Sequence, residues 1–406
     1  MLSDAFLAAR NILRHRRRSA FALAAIASGI AALIVANGFI DWILYKHRET
    51  TITSQFGHIQ VSRKGYLEEG AADPFAFLLP KSSLVLGELE RLPELRVLGK
   101  RLAFSGLMSK GEETVSFVAE AVEPDKERVL SSGLRVSKGA ELSSGEPMGI
   151  IVGLGLAANL GVDVGDTVVL IVNTASGGVN AVECRVRGLF ATMSKAYDDV
   201  ALRVPLDLAR GLLKVDGAHA WVLLLEDTDR VRPTIDSLRA RFGDSGLVFT
   251  EWIELADFHV KAVALFKKQV GVIRAIIAVI IVLSIFNTMI MSVMERTAEI
   301  GTLMALGHTR RRILRLFLVE GAMLGVVGGL LGLLIGSVLA WLLSYVGIPM
   351  PPPPGQSWGF MAEVMVSPRL AVEAIVLAVA STLVASLYPA RKASRMVIVD
   401  ALRFNR

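Results

Sequence analysis

The chain has 406 residues, 53% of them hydrophobic, and its mean hydropathy of +0.52 is too high for an ordinary soluble protein. Charged residues make up 20%, which excludes a chain lying wholly in a bilayer and favours a few spans plus one large soluble domain. The net charge is +6, and residues 1–19, 295–320 and 390–406 carry +4, +2 and +4, so the remainder is acidic. Basic charge confined to short segments is typical of membrane topology and not of a nucleic-acid-binding surface, so we expect no nucleic-acid partner.

Four apolar runs are long enough to cross a bilayer, which takes about 20 residues. They cover residues 20–40, 273–293, 316–345 and 370–387, of which the last is the shortest. The first run is longer than the core of a signal peptide and follows an arginine cluster that ends at Arg18, so we expect an uncleaved anchor. The three basic segments flank these runs on one side, and the positive-inside rule therefore puts both termini in the cytoplasm.

This pattern predicts a membrane α-helical protein with four transmembrane helices and a large extracytoplasmic α+β domain inserted between the first and second helices. The predicted segments are a cytoplasmic amphipathic helix (1–19), transmembrane helices (20–45, 271–294, 316–345 and 369–388), the extracytoplasmic domain (46–270), a cytoplasmic segment (295–315), a short outer loop (346–368) and a cytoplasmic tail (389–406). We expect a multi-pass protein of the bacterial inner (cytoplasmic) membrane, with its large domain in the periplasm.

The outer domain mixes strand and helix patterns irregularly, which is typical of an α+β domain, here of two lobes. Strands are predicted at residues 57–61, 102–109, 114–121, 150–152, 167–173, 182–189, 200–204 and 221–225, and helices at 82–91, 206–213, 230–242 and 254–269. No Gly or Pro interrupts the last helix before Gly271, so it should run straight into the second span. Cys184 is the only cysteine, so a packed core and not a disulfide framework must stabilise the domain.

Gly153, Gly155 and Ala158 match the dinucleotide fingerprint Gly-x-Gly-x-x-Gly/Ala and follow a predicted strand. The helix that this motif opens stops at Gly161 after about two turns. The acidic residue expected at the end of the next strand is absent, with Asn173 nearby instead. We therefore predict no nucleotide binding at this motif.

Two of the spans carry small or polar residues with a packing or transport role. Ser284, Asn287, Thr288 and Ser292 interrupt the second span, and they either hydrogen-bond a neighbouring helix or line a substrate path. The third span contains three overlapping Gly-x-x-x-Gly pairs, formed by Gly325, Gly328, Gly329, Gly332 and Gly336. Such pairs permit close helix packing, either within the chain or across a dimer.

A charged amphipathic segment, residues 295–321, separates the second and third spans and reads ERTAEIGTLMALGHTRRRILRLFLVEG. Helical spacing groups its apolar residues on one face (Ile300, Leu303, Met304, Leu306, Gly307) and its polar residues on the other (Glu295, Arg296, Glu299, Thr302). Gly307 suits a C-terminal cap, and Thr309 can open the next helix. From these residues alone the segment is either a lever at the membrane surface or an ordinary basic loop.

Several chemistries lack their sequence signatures in this chain. A Gly-x-x-x-x-Gly-Lys-Ser/Thr phosphate loop does not occur, so we expect no ATP site, no bound cofactor and no catalysis by this polypeptide. Its six histidines show no metal-ligand spacing, and a single cysteine cannot form a thiolate zinc cluster, so no metal is expected. No nucleophile elbow appears either.

The order Glu-Arg-x-x-Glu-Ile-Gly-x-x-x-Ala-Leu-Gly, then an arginine cluster and Phe-Leu-x-Glu-Gly, resembles the coupling segment of the MacB/LolC/FtsX superfamily of ABC transporter permeases. Residues 388–395 (YPARKASR) and the later Ala401-Leu402-Arg403 resemble the same family's C-terminal signature. Residues 151–170, 186–190 and 197–198 resemble its periplasmic core domain. One long outer domain after the first span, with no fused ATPase, resembles the LolC/LolE branch most closely.

The resemblance implies partners and roles for particular residues. Contact with the ATPase would be made by Glu295, Arg296, Glu299, Ile300, Gly301, Ala305, Leu306 and Gly307. Two copies of a cytoplasmic ABC ATPase would bind ATP and Mg, beside a second permease chain, identical or paralogous, membrane lipids, and a periplasmic chaperone or adaptor. In the core domain, Gly161 would cap a helix and Gly165-Asp166 would turn into a strand.

The implied function is mechanotransmission, in which ATP binding and hydrolysis by the partner change the periplasmic domain and extract lipoprotein or lipid from the inner membrane. The alternatives are MacB-like efflux of peptides, toxins or drugs with an adaptor, and FtsX-like signalling to cell-wall hydrolases. The hairpin tip at residues 174–180 is shorter than the corresponding LolC hook and lacks its Pro and Phe anchors, which counts against chaperone docking.

Overall fold

The computed structural model describes residues 14, 16–70, 73–192, 194–351 and 359–397. The chain divides into two compact units. The membrane unit comprises Met1–Tyr45, Val263–Met350 and Met361–Arg406, and the outer unit comprises Lys46–Ala262 and Pro351–Phe360. Most of the amphipathic helix predicted over residues 1–19, and the Ala401-Leu402-Arg403 signature, lie outside the described residues.

The helices are α1 (Arg16–Thr51), α2 (Tyr66–Glu69), α3 (Leu84–Leu89), α4 (Pro124–Leu130), α5 (Leu154–Leu160), α6 (Lys195–Asp198), α7 (Leu206–Leu213), α8 (Val231–Phe242), α9 (Trp252–Leu255), α10 (Asp257–Glu295), α11 (Thr297–Ala305), α12 (Arg310–Val346) and α13 (Pro368–Ser394). The strands are β1 (Ile59–Arg63), β2 (Leu79–Pro80), β3 (Leu95–Lys110), β4 (Glu113–Val122), β5 (Arg135–Gly139), β6 (Gly149–Gly153), β7 (Thr167–Asn173), β8 (Val179–Ala191), β9 (Ala201–Pro205), β10 (Gly217–Ala218), β11 (Ala220–Leu225), β12 (Leu247–Glu251), β13 (Ile348–Met350) and β14 (Phe360–Ala362). A π-helical turn, Ile52–Phe56, follows α1 directly.

Among the described residues, four helices are long and apolar enough to cross a membrane, which confirms the predicted number of spans. The candidate spans are Ser19–Phe56, His259–Glu295, Arg310–Val346 and Pro368–Ser394. The shortest apolar run belongs to α13, whose 27 residues reach about 40 Å at the α-helical rise. Helix α10 is continuous from Asp257 to Glu295, as the absence of Gly or Pro before Gly271 predicts, so it begins 14 residues before the boundary placed at 271.

A closed barrel of six strands forms the first lobe of the outer unit. β3 pairs with β4, β4 with β9, β9 with β6, β6 with β8, β8 with β7, and β7 returns to β3. Alternation along β3 turns Leu102, Phe104 and Met108 into the barrel and leaves Ser105 and Leu107 exposed. Phe104 meets Phe117 of β4 edge to face, with ring centroids 5.8 Å apart. Closure leaves none of the six barrel strands at an edge, and β5 adds to the outside of this ring by pairing with β8.

The second lobe continues the same sheet through β11, β1 and β12. Its separate core contains Ile59, Trp221 and Phe249, with helix α8 packed against β12. β3 is 16 residues long and contributes Leu98 to this core and Leu102 to the barrel core. The outer unit therefore has the two lobes expected from sequence, and β3 joins them.

The predicted elements of the outer domain agree with the structure where the pattern is strong. The strand predicted at 167–173 is β7, and the helix predicted at 206–213 is α7. Gly161 ends α5 with a φ of 63°, and Gly165 turns into β7 with a φ of 98°, as the family resemblance implied. Sequence analysis missed β5 and α4, because RVSKG has a single apolar residue and PDKERVL has its two apolar residues only at its end, so neither shows a strand or helix period. It also missed the five-residue β12.

The alternation on β4 gives a test of the barrel core. Phe117 is buried and its neighbour Val118 is 47% exposed on the opposite face. Phe117→Ala should cost about 3–5 kcal/mol of the free energy of unfolding, because it leaves a cavity in the barrel. The matched control Val118→Ala should cost less than about 0.5 kcal/mol. Urea unfolding of the detergent-solubilised chain, followed by tryptophan fluorescence, measures both, and equal losses would contradict the assigned faces.

Candidate functional site

The candidate site lies at the break between α10 and α11. α10 ends at Glu295, and Arg296 adopts a non-helical conformation before α11 begins at Thr297. The nine-residue α11 ends in a Schellman motif, in which the Gly307 N–H donates to the Met304 carbonyl and the His308 N–H donates to the Leu303 carbonyl, both at 3.1 Å. Gly307 has a φ of 92°, which confirms the predicted cap, and Thr309 directly precedes α12 as predicted.

Arg296 is the centre of this site. Its side chain is 8% exposed, and its Nη1 lies 3.2 Å from the carboxylate of Glu320 in α12, which is also buried. Its Nε donates to Glu299 at 3.3 Å, and its guanidinium lies over the Phe317 ring, 5.5 Å from the centroid. One side chain therefore ties the start of α11 to the membrane helix α12 through charge and ring contacts.

The burial of α11 differs from the two faces drawn from helical spacing. Ile300 and Met304 are buried as expected, but Leu306, placed on the same face, is 75% exposed. Arg296, placed on the polar face, is buried. Gly307, also placed on the apolar face, is exposed. The three departures have one cause, since Arg296, Leu306 and Gly307 lie outside the helix and so do not follow its period.

The structure separates the eight residues assigned to ATPase contact into two groups. Arg296, Ile300 and Gly301 are buried within the membrane unit. The exposed group consists of Glu295, Glu299, Ala305, Leu306 and Gly307. We call this exposed group, with the exposed Thr302, the coupling surface. The buried residues act on any partner only by positioning that surface.

Basic residues surround the coupling surface. Arg14 lies 3.1 Å from Glu299, in a pair whose side chains are both largely exposed. Exposed arginines also occupy the first turns of α12, at Arg310, Arg311, Arg312 and Arg315. Exposed pairs of this kind contribute only about 0.2–1 kcal/mol to stability. Their more important effect is a positive field around the two glutamates.

The glycines of α12 serve two different helix contacts inside the membrane unit. A Cβ on Gly325 would lie 3.0 Å from the Val379 Cα, and one on Gly329 would lie 3.2 Å from the Ala378 Cβ, so this pair faces α13. The second set, Gly328, Gly332 and Gly336, approaches α1 at Ile26, Ala27, Ile30, Ala31 and Ile34. These glycines let α12 pack closely between two other helices of its own chain.

Sequence analysis missed a charged cluster on three of the membrane helices. Arg274 of α10 pairs with Glu373 of α13, whose other oxygen accepts from Arg369 Nε at 2.9 Å. With its amide oxygen turned toward Arg274, Asn37 of α1 accepts from Nε and Nη2 at 3.1 and 3.2 Å. The sequence did contain a signal for this cluster, because Arg274 and Glu373 are each isolated charges within an apolar run.

The polar residues of the second span differ in their burial and in their hydrogen bonds. Thr288 donates to the Ser284 carbonyl of its own helix at 2.9 Å, and Ser292 is buried. Asn287 is exposed on the surface of α10. Within the described chain, the Thr288 hydroxyl is therefore satisfied by its own helix and not by a neighbour.

The glycine motif at 153–158 is occupied by protein. A Cβ on Gly155 would lie 2.8 Å from the Asp199 Cα, and one on Gly153 would lie 3.0 Å from the Ala201 carbonyl oxygen. The glycines permit close approach of the α6–β9 turn, whose Asp199 carboxylate would repel a phosphate.

Cys184 is buried, which raises the pKa of its thiol to about 12 and makes it unreactive. Among the described residues, no group of three or more His, Cys, Asp or Glu side chains could hold a metal ion.

Comparison with family models accounts for most of the chain. A model of the MacB-like periplasmic core domain matches residues 19–241, which is more than half of the sequence, and a model of the FtsX-like permease C-terminal domain matches residues 271–398. The chain belongs to the MacB- and FtsX-like permease family. This permease is therefore an ABC transporter subunit and a multi-pass inner-membrane protein with a periplasmic domain.

The permease is similar to proteins named for lipoprotein release and to a protein named for macrolide export. It is 27% identical over 317 residues to the lipoprotein-releasing system transmembrane protein LolC of Xylella fastidiosa strain Temecula1, covering 74% of this chain and 76% of that protein. It is 26% identical to LolC of Neisseria meningitidis serogroup B, with 97% of each chain covered. It is 31% identical over 212 residues to the macrolide export protein MacB of Hyphomonas neptunium, covering 50% of this chain and 30% of that one.

Among solved structures, the periplasmic region of MacB from Actinobacillus actinomycetemcomitans aligns with 50% of the permease and 92% of that chain, at 12% identity and a TM-score of 0.37.

The pair between Arg296 and Glu320 should be essential to the stability of the membrane unit. Arg296→Ala should lower the free energy of unfolding by about 3–5 kcal/mol, because it leaves the Glu320 carboxylate buried without its partner. The double variant Arg296→Met with Glu320→Leu removes both charges and should recover most of the lost stability. Thermal unfolding in detergent measures these effects, with Arg310→Ala on the exposed side of α12 as the control. A single-variant loss no larger than the control's would contradict the central role of Arg296.

The close contact of α12 with α1 gives a second test. A Cβ on Gly332 would lie 2.6 Å from the Ile30 Cβ and 2.8 Å from the Ala27 carbonyl oxygen, whereas nothing lies within 4 Å of a Cβ on Gly271 of α10. Gly332→Ala should destabilise the fold by about 1–3 kcal/mol through overpacking. Gly271→Ala should be neutral or stabilise by about 0.5–1 kcal/mol, because alanine is the better helix former. Matching effects in thermal unfolding would show that α12 does not pack this closely on α1.

Proposed function

We propose that this permease is the mechanotransmitting subunit of an ABC transporter, which converts ATP binding and hydrolysis by a separate ATPase into conformational change in its periplasmic domain. The observation that carries the proposal is the coupling surface itself. The short helix α11 and the residues next to it expose Glu295, Glu299 and Leu306, while Arg296 at the start of α11 is held to α12 through Glu320. A partner that pushes on this surface pushes on the membrane helices.

The proposed partners follow from this surface and from the sequence. A separate ATPase would bind ATP and Mg, because this chain contains no phosphate loop. Its groove would receive Leu306, and its basic or polar rim would pair with the two glutamates. Two ATPase copies and a second permease chain complete the proposed assembly, and both termini lie in the cytoplasm with the three basic segments.

The first proposed cargo is a lipoprotein or a lipid of the inner membrane. It is supported by the likeness to proteins named as lipoprotein-releasing, one of which is covered over 97% of its length. Efflux of peptides, toxins or drugs with an adaptor is the second candidate. The turn between β7 and β8 favours it, because it spans only residues 174–178 and closes on itself through a 2.7 Å bond from the Thr174 N–H to the Gly178 carbonyl. So compact a turn offers little surface to a lipoprotein chaperone.

A reversal of charge on the coupling surface tests the proposal. Glu299→Lys should lower ATP turnover by the reconstituted complex about tenfold or more, equivalent to about 1.4 kcal/mol of lost interaction, because it replaces attraction with repulsion. Since Glu299 also contacts Arg14 and Arg296, Leu306→Asp serves as an independent variant of an exposed side chain. The matched control is Glu363→Lys, the same charge change at an exposed residue between α12 and α13, which the proposed topology puts on the opposite side of the membrane.

The outcomes are distinct. If both coupling-surface variants assemble and turn over ATP like the control, the transmission proposal is wrong and residues 295–321 form an ordinary basic loop. Mass spectrometry of the purified complex distinguishes the two proposed kinds of cargo. Co-purified acylated protein supports lipoprotein extraction, whereas its absence together with an associated adaptor supports efflux.

A further inference from the structure

The helix that carries the first span ends in a turn whose carbonyl groups need donors from elsewhere. α1 is followed by the π-helical turn Ile52–Phe56, closed by the Gly57 N–H donating to the Ile52 carbonyl at 2.8 Å. The last carbonyls of any helix have no partner within it. π-helical turns are rare and occur frequently at functional sites. The groups that donate hydrogen bonds to the carbonyls of this turn therefore show which part of the outer unit holds the end of α1.

Three consecutive carbonyls of the turn are held by the barrel lobe. The Thr53 carbonyl accepts from the Gly133 N–H at 3.0 Å, and the Ser54 carbonyl accepts from Arg203 Nη2 at 3.1 Å. The Gln55 carbonyl accepts from Arg101 Nη1. Arg101 lies on β3 and Arg203 on β9, on opposite sides of β4 in the barrel wall. The turn is thus fastened to two strands at once.

Two glutamates neutralise these arginines. Glu127 accepts from Arg101 Nη2 at 2.7 Å and from Arg203 Nη1 at 3.0 Å. Glu120 lies 3.1 Å from Arg101 Nη1 and 2.8 Å from Arg203 Nη2. The side chains of Arg203 and Arg101 are only 2% and 5% exposed. We call Arg101, Glu120, Glu127 and Arg203 the clasp, an electrically neutral cluster whose guanidinium groups still have N–H donors for carbonyls.

Glu127 of the clasp stays ionised despite its burial. Burial alone would raise the pKa of Glu127, but the charges of Arg101 and Arg203 and a hydrogen bond from Ser131 hold that pKa below its usual value. Burial, followed by the charge of Glu120, raises the pKa of neighbouring Tyr197 to about 12. Glu127 therefore faces the two guanidinium groups as a carboxylate across the neutral pH range.

The turn also touches the second lobe. Ile52 is fully buried in the core that contains Trp221 and Phe249. Its side chain thus points into one lobe while the carbonyls that follow it are bound by the other. Among the described strands, β3 also contributes to both cores. The turn therefore contacts both lobes.

We propose that the clasp makes the end of α1 a control point for the outer domain, so that displacement of this helix changes the arrangement of the two lobes. Arg101 and Arg203 are positioning residues in this device. The inference rests on the proposed function, since it takes ATP-driven movement of α1 as its input. A buried ionic cluster is poor evidence for stability alone, because apolar residues of similar volume often stabilise as well or better. Its directional bonds instead hold each carbonyl at a defined place, which transmission requires.

Lysine variants test the clasp without removing charge. In Arg203→Lys, a single ammonium nitrogen replaces the planar fork, so it cannot occupy the positions of both Nη1, which donates to Glu127, and Nη2, which donates to the Ser54 carbonyl. The matched control is Arg210→Lys, because Arg210 is also mostly buried in the barrel lobe and donates to a backbone carbonyl, that of Gly217, at 3.1 Å, but it does not touch the turn. Spin labels at the exposed positions Thr167 on the barrel and Arg232 on α8 report the distance between the lobes.

Pulsed EPR is recorded on the full complex in nanodiscs, with and without a non-hydrolysable ATP analogue. We expect the analogue to shift the Thr167–Arg232 distance in the unaltered clasp and in Arg210→Lys. In Arg203→Lys the shift should be lost while ATP turnover continues, which a merely stabilising role would not produce. An equal shift in Arg203→Lys would overturn the inference and leave the proposed function standing. The inference is also overturned if the unaltered complex shows no shift in the distance while its ATP turnover still depends on Glu299. If ATP turnover does not depend on Glu299, the proposed function itself is overturned.

A second variant covers the case in which Arg203→Lys does not fold. A Cβ on Gly133 would lie 2.8 Å from the Thr53 Oγ1, so Gly133→Ala presses on the turn without altering any charge. This variant should reduce the nucleotide-dependent shift, and the added change Thr53→Ala should restore it by removing the clashing oxygen. A full shift in Gly133→Ala, or a loss that Thr53→Ala does not relieve, would contradict the role of the turn.

Discussion

Backbone hydrogen bonding is the constraint on which the rest of this structure depends. Within a bilayer each amide and carbonyl must be satisfied inside its own helix, so helices that cross it run unbroken and end only where other donors are supplied. The break at Arg296 lies at one end of α10, and the π-helical turn Ile52–Phe56 lies at the end of α1. Buried arginines hold the chain at both places, in one case through carboxylates and a ring and in the other through carbonyls.

This constraint also explains why long helices belong to both units. α1 and α10 each include residues of the membrane unit and of the outer unit, without a Gly or Pro that would break them at the boundary. An uninterrupted helix keeps its hydrogen bonds internal and is stiff along its axis. Within the membrane unit, α12 adds close packing, because its glycines bring its backbone against α1 on one face and α13 on another. Such contacts allow little sliding of one helix relative to the next.

Stability and the proposed transmission depend on different interactions in this protein. The barrel and the second lobe are held by apolar cores that need no charge at all. In the part of the chain that the structure describes, the buried ion pairs occur where one element is fastened to another: Arg296 to Glu320, and the clasp to the end of α1. Hydrophobic contacts tolerate small shifts, whereas bidentate hydrogen bonds to fixed acceptors do not. Residues that position moving elements are therefore expected among the buried charges more than among the leucines.

The sequence by itself determined the number of spans, the insertion of the outer domain, and the Gly307 cap with the helix start after Thr309, because each depends on local composition or on a backbone conformation that one residue favours. It also determined β7 and α7, whose periodicity spans enough residues to be recognised. The short elements β5, β12 and α4 needed their partners to be seen. Only the tertiary structure decided that Arg296 is buried and Leu306 exposed, that β7 closes the barrel on β3, and that Arg101 and Arg203 meet at the end of α1. The physical reason is distance along the chain: Arg203 binds a carbonyl 149 positions away, and no periodicity or propensity within either segment carries information about the other.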